Sequence, residues 1–145
     1  MQFVARFEME PDDELDDICA RMDITGVSKE RIEVEFAKIF LKSRAFKWLL
    51  KINRLHDLFP EVAALIGIAQ NSVWHPEGDV FEHTMQAIDA AVVVAQKYNT
   101  KREKLILCYA ALCHDFGKPY ATVLVDHMLT SHGHAEIGAY YAQFF

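Results

Sequence analysis

The chain has 145 residues, of which 52% are hydrophobic, and a formal net charge of −6. That is enough apolar material for the core of one ordinary domain, while the acidic balance excludes a protein that holds nucleic acid by a broad basic surface, since phosphate contacts need clustered Lys and Arg. No apolar run approaches the roughly 20 residues of a membrane span and no basic-then-apolar signal opens the chain, so no membrane partner and a cytoplasmic location are expected.

In chain order, the first predicted helix runs from Pro11 to Met22. Leu15, Ile18, Cys19 and Met22 share one face, Asp12 and Asp13 suit the positive N-terminal end, and Gly26 stops it. Ser28 can cap a second helix in which Ile32, Phe36, Ile39 and Phe40 recur at three- and four-residue spacing. Ser43 can cap a third, with Phe46, Leu49, Leu50 and Ile52 to Leu55 as its apolar side. Lys38, Lys42, Arg44, Lys47, Lys51 and Arg54 form a local basic strip here, set against the acidic group Asp12, Asp13, Glu14, Asp16 and Asp17. Pro60 opens a short helix, Glu61 to Ile66, which Gly67 closes.

Ala69 to Asp79 mixes Asn71, Ser72, Pro76 and Gly78 with Trp74 and His75, a composition suited to a shaped site loop. Trp74 and Phe81 read as core residues in preference to flanking a substrate base. Val80 to Tyr98 holds no breaker and predicts a long buried helix. A second long helix runs from Lys101 to His114, and its stretch Leu105 to Cys113 is apolar nearly all round, which predicts a place at the domain centre. Gly117 and Pro119 end it, and a polar loop leads to a last helix from Gly133 to Phe145. Tyr120 to Val125 is the one weak strand candidate, so the fold class is all-α. Cys19, Cys108 and Cys113 lack paired spacing and read as reduced thiols; Cys113, beside His114, reads as a buried apolar thiol in preference to a zinc thiolate.

Histidine carries the chemistry. If the two long helices run antiparallel through the Asn99-Thr100 turn, His83 and His114 lie at nearly equal distances from that turn and so at nearly the same height. Both can then share one ion. Imidazole plus carboxylate suits divalent transition metals or, with more water, manganese or magnesium, and Asp115 sits about 100° around the helix from His114. A single His near an apolar helix end is usually a core or capping residue, but several at matching height shift that balance. His56-Asp57 is also a His-Asp dipeptide; it lacks a following Gly-Lys, stands beside Leu58-Phe59-Pro60, and reads as structural.

The segments His83-Thr84, His114-Asp115-Phe116-Gly117-Lys118 and His134-Ala135-Glu136-Ile137-Gly138 resemble the HD superfamily of metal-dependent phosphohydrolases. In that superfamily a first His, the His-Asp pair and a distant Asp hold the metal. The stretch from Leu58 to Thr84, with its Trp74-His75-Pro76-Glu77-Gly78-Asp79-Val80 core, and His132-Gly133-His134 look like the C-terminal half of bacterial CCA-adding tRNA nucleotidyltransferases. Val4-Ala5-Arg6-Phe7 and Glu30 to Lys38 look like the neck of those enzymes.

The resemblance implies a helical neck-like segment over residues 1–68 and an HD-domain helical bundle over 69–145. It implies His83, His114 and Asp115 as ligands of a divalent metal (Mg, Mn, Ni or Co), and His114, Asp115 and Lys118 as catalytic residues. It implies that His75, His132, His134 and Lys118 bind substrate, with Lys118 offsetting phosphate charge; the plainer role for Lys118 is a helix-terminal cation. The reaction implied is phosphoester hydrolysis of the 2′,3′-cyclic phosphodiesterase or phosphatase type, on a small nucleotide or an RNA 3′ end, with tRNA as a further partner. No Gly-Ser with spaced Asp residues is present for a nucleotidyltransferase head, and no Asp follows Asp126, so a fragment truncated at its C-terminus is expected. Two other functions fit the same residues: a piece that grips tRNA phosphates with the basic strip, or a degenerate HD domain that binds nucleotide without turnover. Metal content separates them.

Overall fold

The structure, a computed structural model, describes residues 4–5, 9–39, 42–143 and 145. Helix α1 (Asp13–Arg21) starts at Asp12, whose carboxylate accepts from the Leu15 N–H at 2.9 Å, with Asp13, Glu14 and Asp16 in the first turn. Its predicted apolar face is not its anchor: Leu15, Ile18 and Met22 are exposed. The buried residue of this helix is Asp16, which accepts from Trp48 Nε1 at 2.8 Å and pairs with Lys51 at 2.6 Å. A polar clasp, together with half-buried Cys19 and Ala20 packed against the core, docks α1.

Helix α2 (Lys29–Ile39) follows Ser28, whose hydroxyl accepts from the Arg31 N–H at 3.4 Å, and drives Phe36 into a ring cluster with Phe46, Phe59 and Phe145. Phe40, Arg6 and Phe7, which the sequence singled out, lie outside the described residues. Helix α3 (Arg44–Lys51) begins after Ser43, which does not cap it: its backbone is already helical and its side chain makes no capping bond. The Ser43 N–H and hydroxyl instead both donate to Asp89, at 3.1 and 2.7 Å, tying the start of α3 to a later helix. Left-handed Asn53 (φ 59°) separates α3 from two single-turn helices, α4 (Leu55–Leu58) and α5 (Pro60–Ala63). Turns then run to Gly67, whose φ of 75° ends them.

Two long helices follow. Helix α6 (Val80–Ala95) is capped by Asp79, which accepts from the Glu82 N–H at 2.9 Å, and α7 (Lys101–Cys113) by a reciprocal capping box between Thr100 and Glu103. They pack along each other. Helix α6 buries Phe81, Thr84, Met85, Ile88 and Ala91, but α7 buries Cys108 and Leu112 while Ile106 is 57% exposed. The expectation that α7 sits at the domain centre holds in part: Leu105, Leu107, Tyr109, Ala111 and Cys113 pack half-buried against the core, but Ile106 and Ala110 face outward.

Helix α8 (Lys118–Ala121) leads into strands β1 (Val123–Val125) and β2 (Met128–Thr130), paired antiparallel with Leu124 opposite Leu129. Left-handed Asp126 (φ 47°) and His127 (φ 64°) make the turn, a conformation that Asp and His tolerate better than most residues. The last helix, α9 (His134–Ala142), starts from left-handed Gly133 (φ 74°). Apart from this hairpin the described residues form helices and turns, so the all-α class holds. One apolar cluster joins Val4, Phe36, Leu55 and Val62 with Met85, Leu112 and Phe116, on both sides of residue 68. The three cysteines are free, and no helix among the described residues is long and apolar enough to cross a membrane.

Candidate metal centre

The first turn of α6 and the end of α7 bring His83 and His114 together, with their Nε2 atoms 3.3 Å apart. Asp115, 1% exposed, puts Oδ2 at 3.2 Å from His114 Nε2 and 3.9 Å from His83 Nε2. Lys118 Nζ lies 2.8 Å from the same Oδ2 and donates to Gln70 Oε1 at 2.6 Å. The Lys118–Asp115 separation is that of an ion pair, yet Oδ2 receives no well-directed hydrogen bond and remains open to a further cation. His134 Nε2 approaches Asp115 from the other side, 3.6 Å from Oδ1.

The ring protons follow from the partners. His114 Nδ1 is 2.8 Å from the Ala111 carbonyl and His134 Nδ1 is 2.6 Å from the Ser131 carbonyl. A carbonyl only accepts, so both rings carry their proton on Nδ1 and, when neutral, present a bare Nε2 lone pair. His83 Nδ1 faces Glu77 Oε1 at 2.6 Å, with the same consequence. Two bare nitrogens at 3.3 Å cannot bond each other, so the pair favours a proton or a metal ion between them. His83, His114 and Asp115, whose ligand atoms all fall within 4.8 Å of one another, fit a divalent metal on both geometry and donor type.

Without a metal, a proton takes that place. The Asp115 carboxylate, 3.2 Å from His114 Nε2, works against burial and raises the His114 pKa above its ordinary 6.5. Burial alone would push the Asp115 carboxyl up, but His114 and Lys118 together outweigh it and bring it down to about 2. His114, raised in the folded state, contributes stability that is present below about pH 6.5 and lost as pH climbs through its folded value. Asp115, depressed, contributes stability that is present above about pH 3.8 and lost, by roughly 2 kcal/mol, as pH falls toward 2. The urea midpoint of the metal-free protein should therefore peak at weakly acidic pH and fall on both sides, and a profile unchanged by Asp115→Asn would contradict this pairing.

The other predicted residues are placed as follows. His75 donates from Nδ1 to Glu77 Oε1 at 3.0 Å, and its ring lies 4.7 Å from that of His83. His75, Lys118 and His134 line one cavity of about 410 Å³, closed by Gln70, Trp74 and the β2 strand. His132 is exposed and stands outside this group. Trp74 is 78% exposed on the cavity rim, which corrects its reading as core, whereas Phe81 is 5% exposed and is core. Asp57 pairs with Arg54 at 2.9 Å, and the His56-Asp57 dipeptide joins no metal-ligating group among the described residues. Burial pushes the Cys113 thiol up to about 12, which keeps it protonated. Sequence reasoning missed Glu77, the carboxylate shared by His75 and His83; its own backbone N–H and the His75 ring hold its pKa down at about 2. The available signal was a carboxylate two residues after His75 in a loop already marked as a shaped site.

Residues 80–144 match the HD domain family. The chain is 36% identical over 99 residues to the multifunctional CCA protein of Pasteurella multocida, covering 66% of this chain and 23% of that protein. Its identity to the multifunctional CCA protein of Mannheimia succiniciproducens is 33% over 125 residues, 84% of this chain and 29% of that one. For the protein of that name from Tolumonas auensis it is 35% over 120 residues, 80% and 27%. The chain thus spans about a quarter of the length of these curated relatives. No solved structure matches it. His83, His114, Asp115, Lys118 and His134 all fall within residues 80–144, the segment that matches the HD domain family.

Proposed function

We propose that this chain is a cytoplasmic phosphohydrolase of the 2′,3′-cyclic phosphodiesterase or phosphatase type, acting on a small nucleotide or an RNA 3′ end within tRNA processing. The observation that carries the reading is the convergence of two bare imidazole nitrogens, His83 Nε2 and His114 Nε2, on the buried carboxylate of Asp115. Those three residues hold a divalent ion, with Mg, Mn, Ni and Co as candidates. When bound, the ion supplies Lewis acidity toward a phosphoryl oxygen and lowers the pKa of water. Lys118 has three N–H donors; one goes to Gln70 and Asp115 is held by charge at 2.8 Å, so donor capacity remains for a phosphate oxygen. His75 and His134 line the adjoining cavity, and Trp74 offers an exposed ring face on its rim for a nucleobase.

The gripping alternative is less well supported. Lys38, Arg44, Lys47, Lys51 and Arg54 each pair with a carboxylate of this chain, so tRNA phosphates would have to displace Glu35, Glu10, Glu82, Asp16 and Asp57. The test is hydrolysis of 2′,3′-cyclic AMP with added Mn, Ni, Co or Mg, for wild type and His114→Ala. Turnover that His114→Ala removes supports the hydrolase; metal binding without turnover for any of these ions, together with measurable tRNA affinity, replaces it with the gripping alternative.

A further inference from the structure

Within the set that converges on Asp115, the His83 ring is oriented differently from its neighbours. His114 and His134 each have Nδ1 fixed by a main-chain carbonyl of their own segment, Ala111 and Ser131. His83 stands in the first turn of α6, and its Nδ1 partner is a side chain, Glu77 Oε1, at 2.6 Å. Resting on the reading of His83, His114 and Asp115 as metal ligands, we propose that Glu77 is the positioning residue of the centre. Its carboxylate accepts the Nδ1 proton of His83 and so aims the bare Nε2 at His114 and Asp115.

The chemistry requires such a partner. A neutral imidazole has one N–H and one lone pair, and the hydrogen bond at one nitrogen decides which of them the other presents. A ring free at Nδ1 can carry its proton on Nε2, or rotate, and in either state it offers no lone pair to the centre. Metal-ligating histidines are commonly held in this way by a carboxylate, and removing that group typically weakens the site about 10- to 100-fold.

The loop holds Glu77 in place from several directions. Asn71 accepts from the Val73 N–H through its side chain at 2.9 Å and from the His75 N–H through its carbonyl at 2.9 Å, which turns the chain before Glu77. Gly78, at φ 127°, reverses it directly afterwards, a conformation that side-chain-bearing residues rarely adopt. Asp79 then caps α6 and accepts from the Gly67 N–H at 2.6 Å. The same Glu77 Oε1 also takes the His75 proton at 3.0 Å, so the carboxylate is clamped between two rings.

His75, Glu77 and His83 also lie within ligand distance of one another and so form a rival metal site. Occupying both sites would require His83 to give a lone pair from each nitrogen, and the neutral ring has only one. The lone pair that meets the buried Asp115 is the one on Nε2, so one ion is held and Glu77 stays outside its ligand set.

Nitrogen-15 histidine spectra of the metal-free protein, at a pH where the rings are neutral, together with Ni²⁺ titration calorimetry, test this on wild type, Glu77→Ala and Glu77→Gln. In wild type, His83, His114 and His134 should all be protonated on Nδ1, and one Ni²⁺ should bind per chain. In Glu77→Ala the proton of His83 should move to Nε2 while His114 and His134 keep theirs, and Ni²⁺ affinity should fall about 10- to 100-fold. Glu77→Gln, whose amide oxygen still accepts, should recover part of both. An unchanged His83 tautomer with unchanged affinity in Glu77→Ala overturns the proposal. So does a shift of all three rings together, which marks a general loosening of the loop, and so do two Ni²⁺ ions per wild-type chain. A wild type that takes no Ni²⁺ overturns the ligand reading itself, a failure told apart from that of Glu77 by the metal-free spectra.

Discussion

His83→Ala and Asp115→Ala should each abolish divalent-metal binding in a calorimetric titration, while His56→Ala leaves it intact. The two losses differ in kind. His83 is half-buried, and its removal takes away one nitrogen ligand without orphaning a charge in the core. Asp115 is 1% exposed and is the carboxylate on which His83, His114, Lys118 and His134 all converge. Removing it also leaves Lys118, itself 9% exposed, without its ion partner, and breaking a buried pair by deleting one member costs about 3–5 kcal/mol. Asp115→Ala should therefore lose stability as well as metal, whereas His83→Ala should lose metal at near wild-type stability. His56 belongs to the other His-Asp dipeptide, whose Asp57 is committed to Arg54 at 2.9 Å. Equal losses from all three variants would mean that the wrong dipeptide had been assigned.

Gly117→Ala should be among the most damaging substitutions of a single small group. The backbone of Gly117 is in an ordinary helical region, so conformational strain is not the cause. Space is. A Cβ at this position would collide with the His134 carbonyl oxygen and lie 2.7 Å from the Gly138 nitrogen. Both are main-chain atoms of α9, which cannot rotate away as a side chain would, so α9 must move off the end of α7 and take His134 with it. Overpacking of this kind costs about 3 kcal/mol at the upper end of its usual range, a fall of roughly 10 °C in melting temperature for a domain of this size. A melting temperature equal to that of wild type would show that the α8–α9 contact is looser than its geometry indicates.

The parts of this structure that are legible in the sequence are those fixed by local chemistry or by counting residues. Unbroken runs over α6 and α7, with a short polar turn between them, were enough to place His83 beside His114, because two helices of equal reach from one turn must bring those positions level. Asp12 and Ser28 act at helix starts as their side chains dictate. What could not be read depended on a partner distant in the chain. Ser43 has the chemistry of a cap, but Asp89 lies within reach and takes both of its donors. Leu105 to Cys113 is apolar on nearly every side, yet burial depends on what packs against a helix, and Ile106 faces outward. Of the hairpin, the weak strand candidate Tyr120 to Val125 contains β1, whereas β2 is three residues long and too short to show alternation. Glu77 is one carboxylate in an irregular loop, and no periodicity marks the histidines it will meet.

Titration of the metal-free protein with Co²⁺, followed through the histidine ring signals, tests most directly whether one divalent ion is held by His83, His114 and Asp115. The expected result is saturation at one equivalent, with the His83 and His114 rings displaced together by the paramagnetic ion, His134 less so, and His56 unchanged. Saturation with His56 displaced while His83 and His114 stay in place, or no uptake of Co²⁺ at all, would contradict the centre described here.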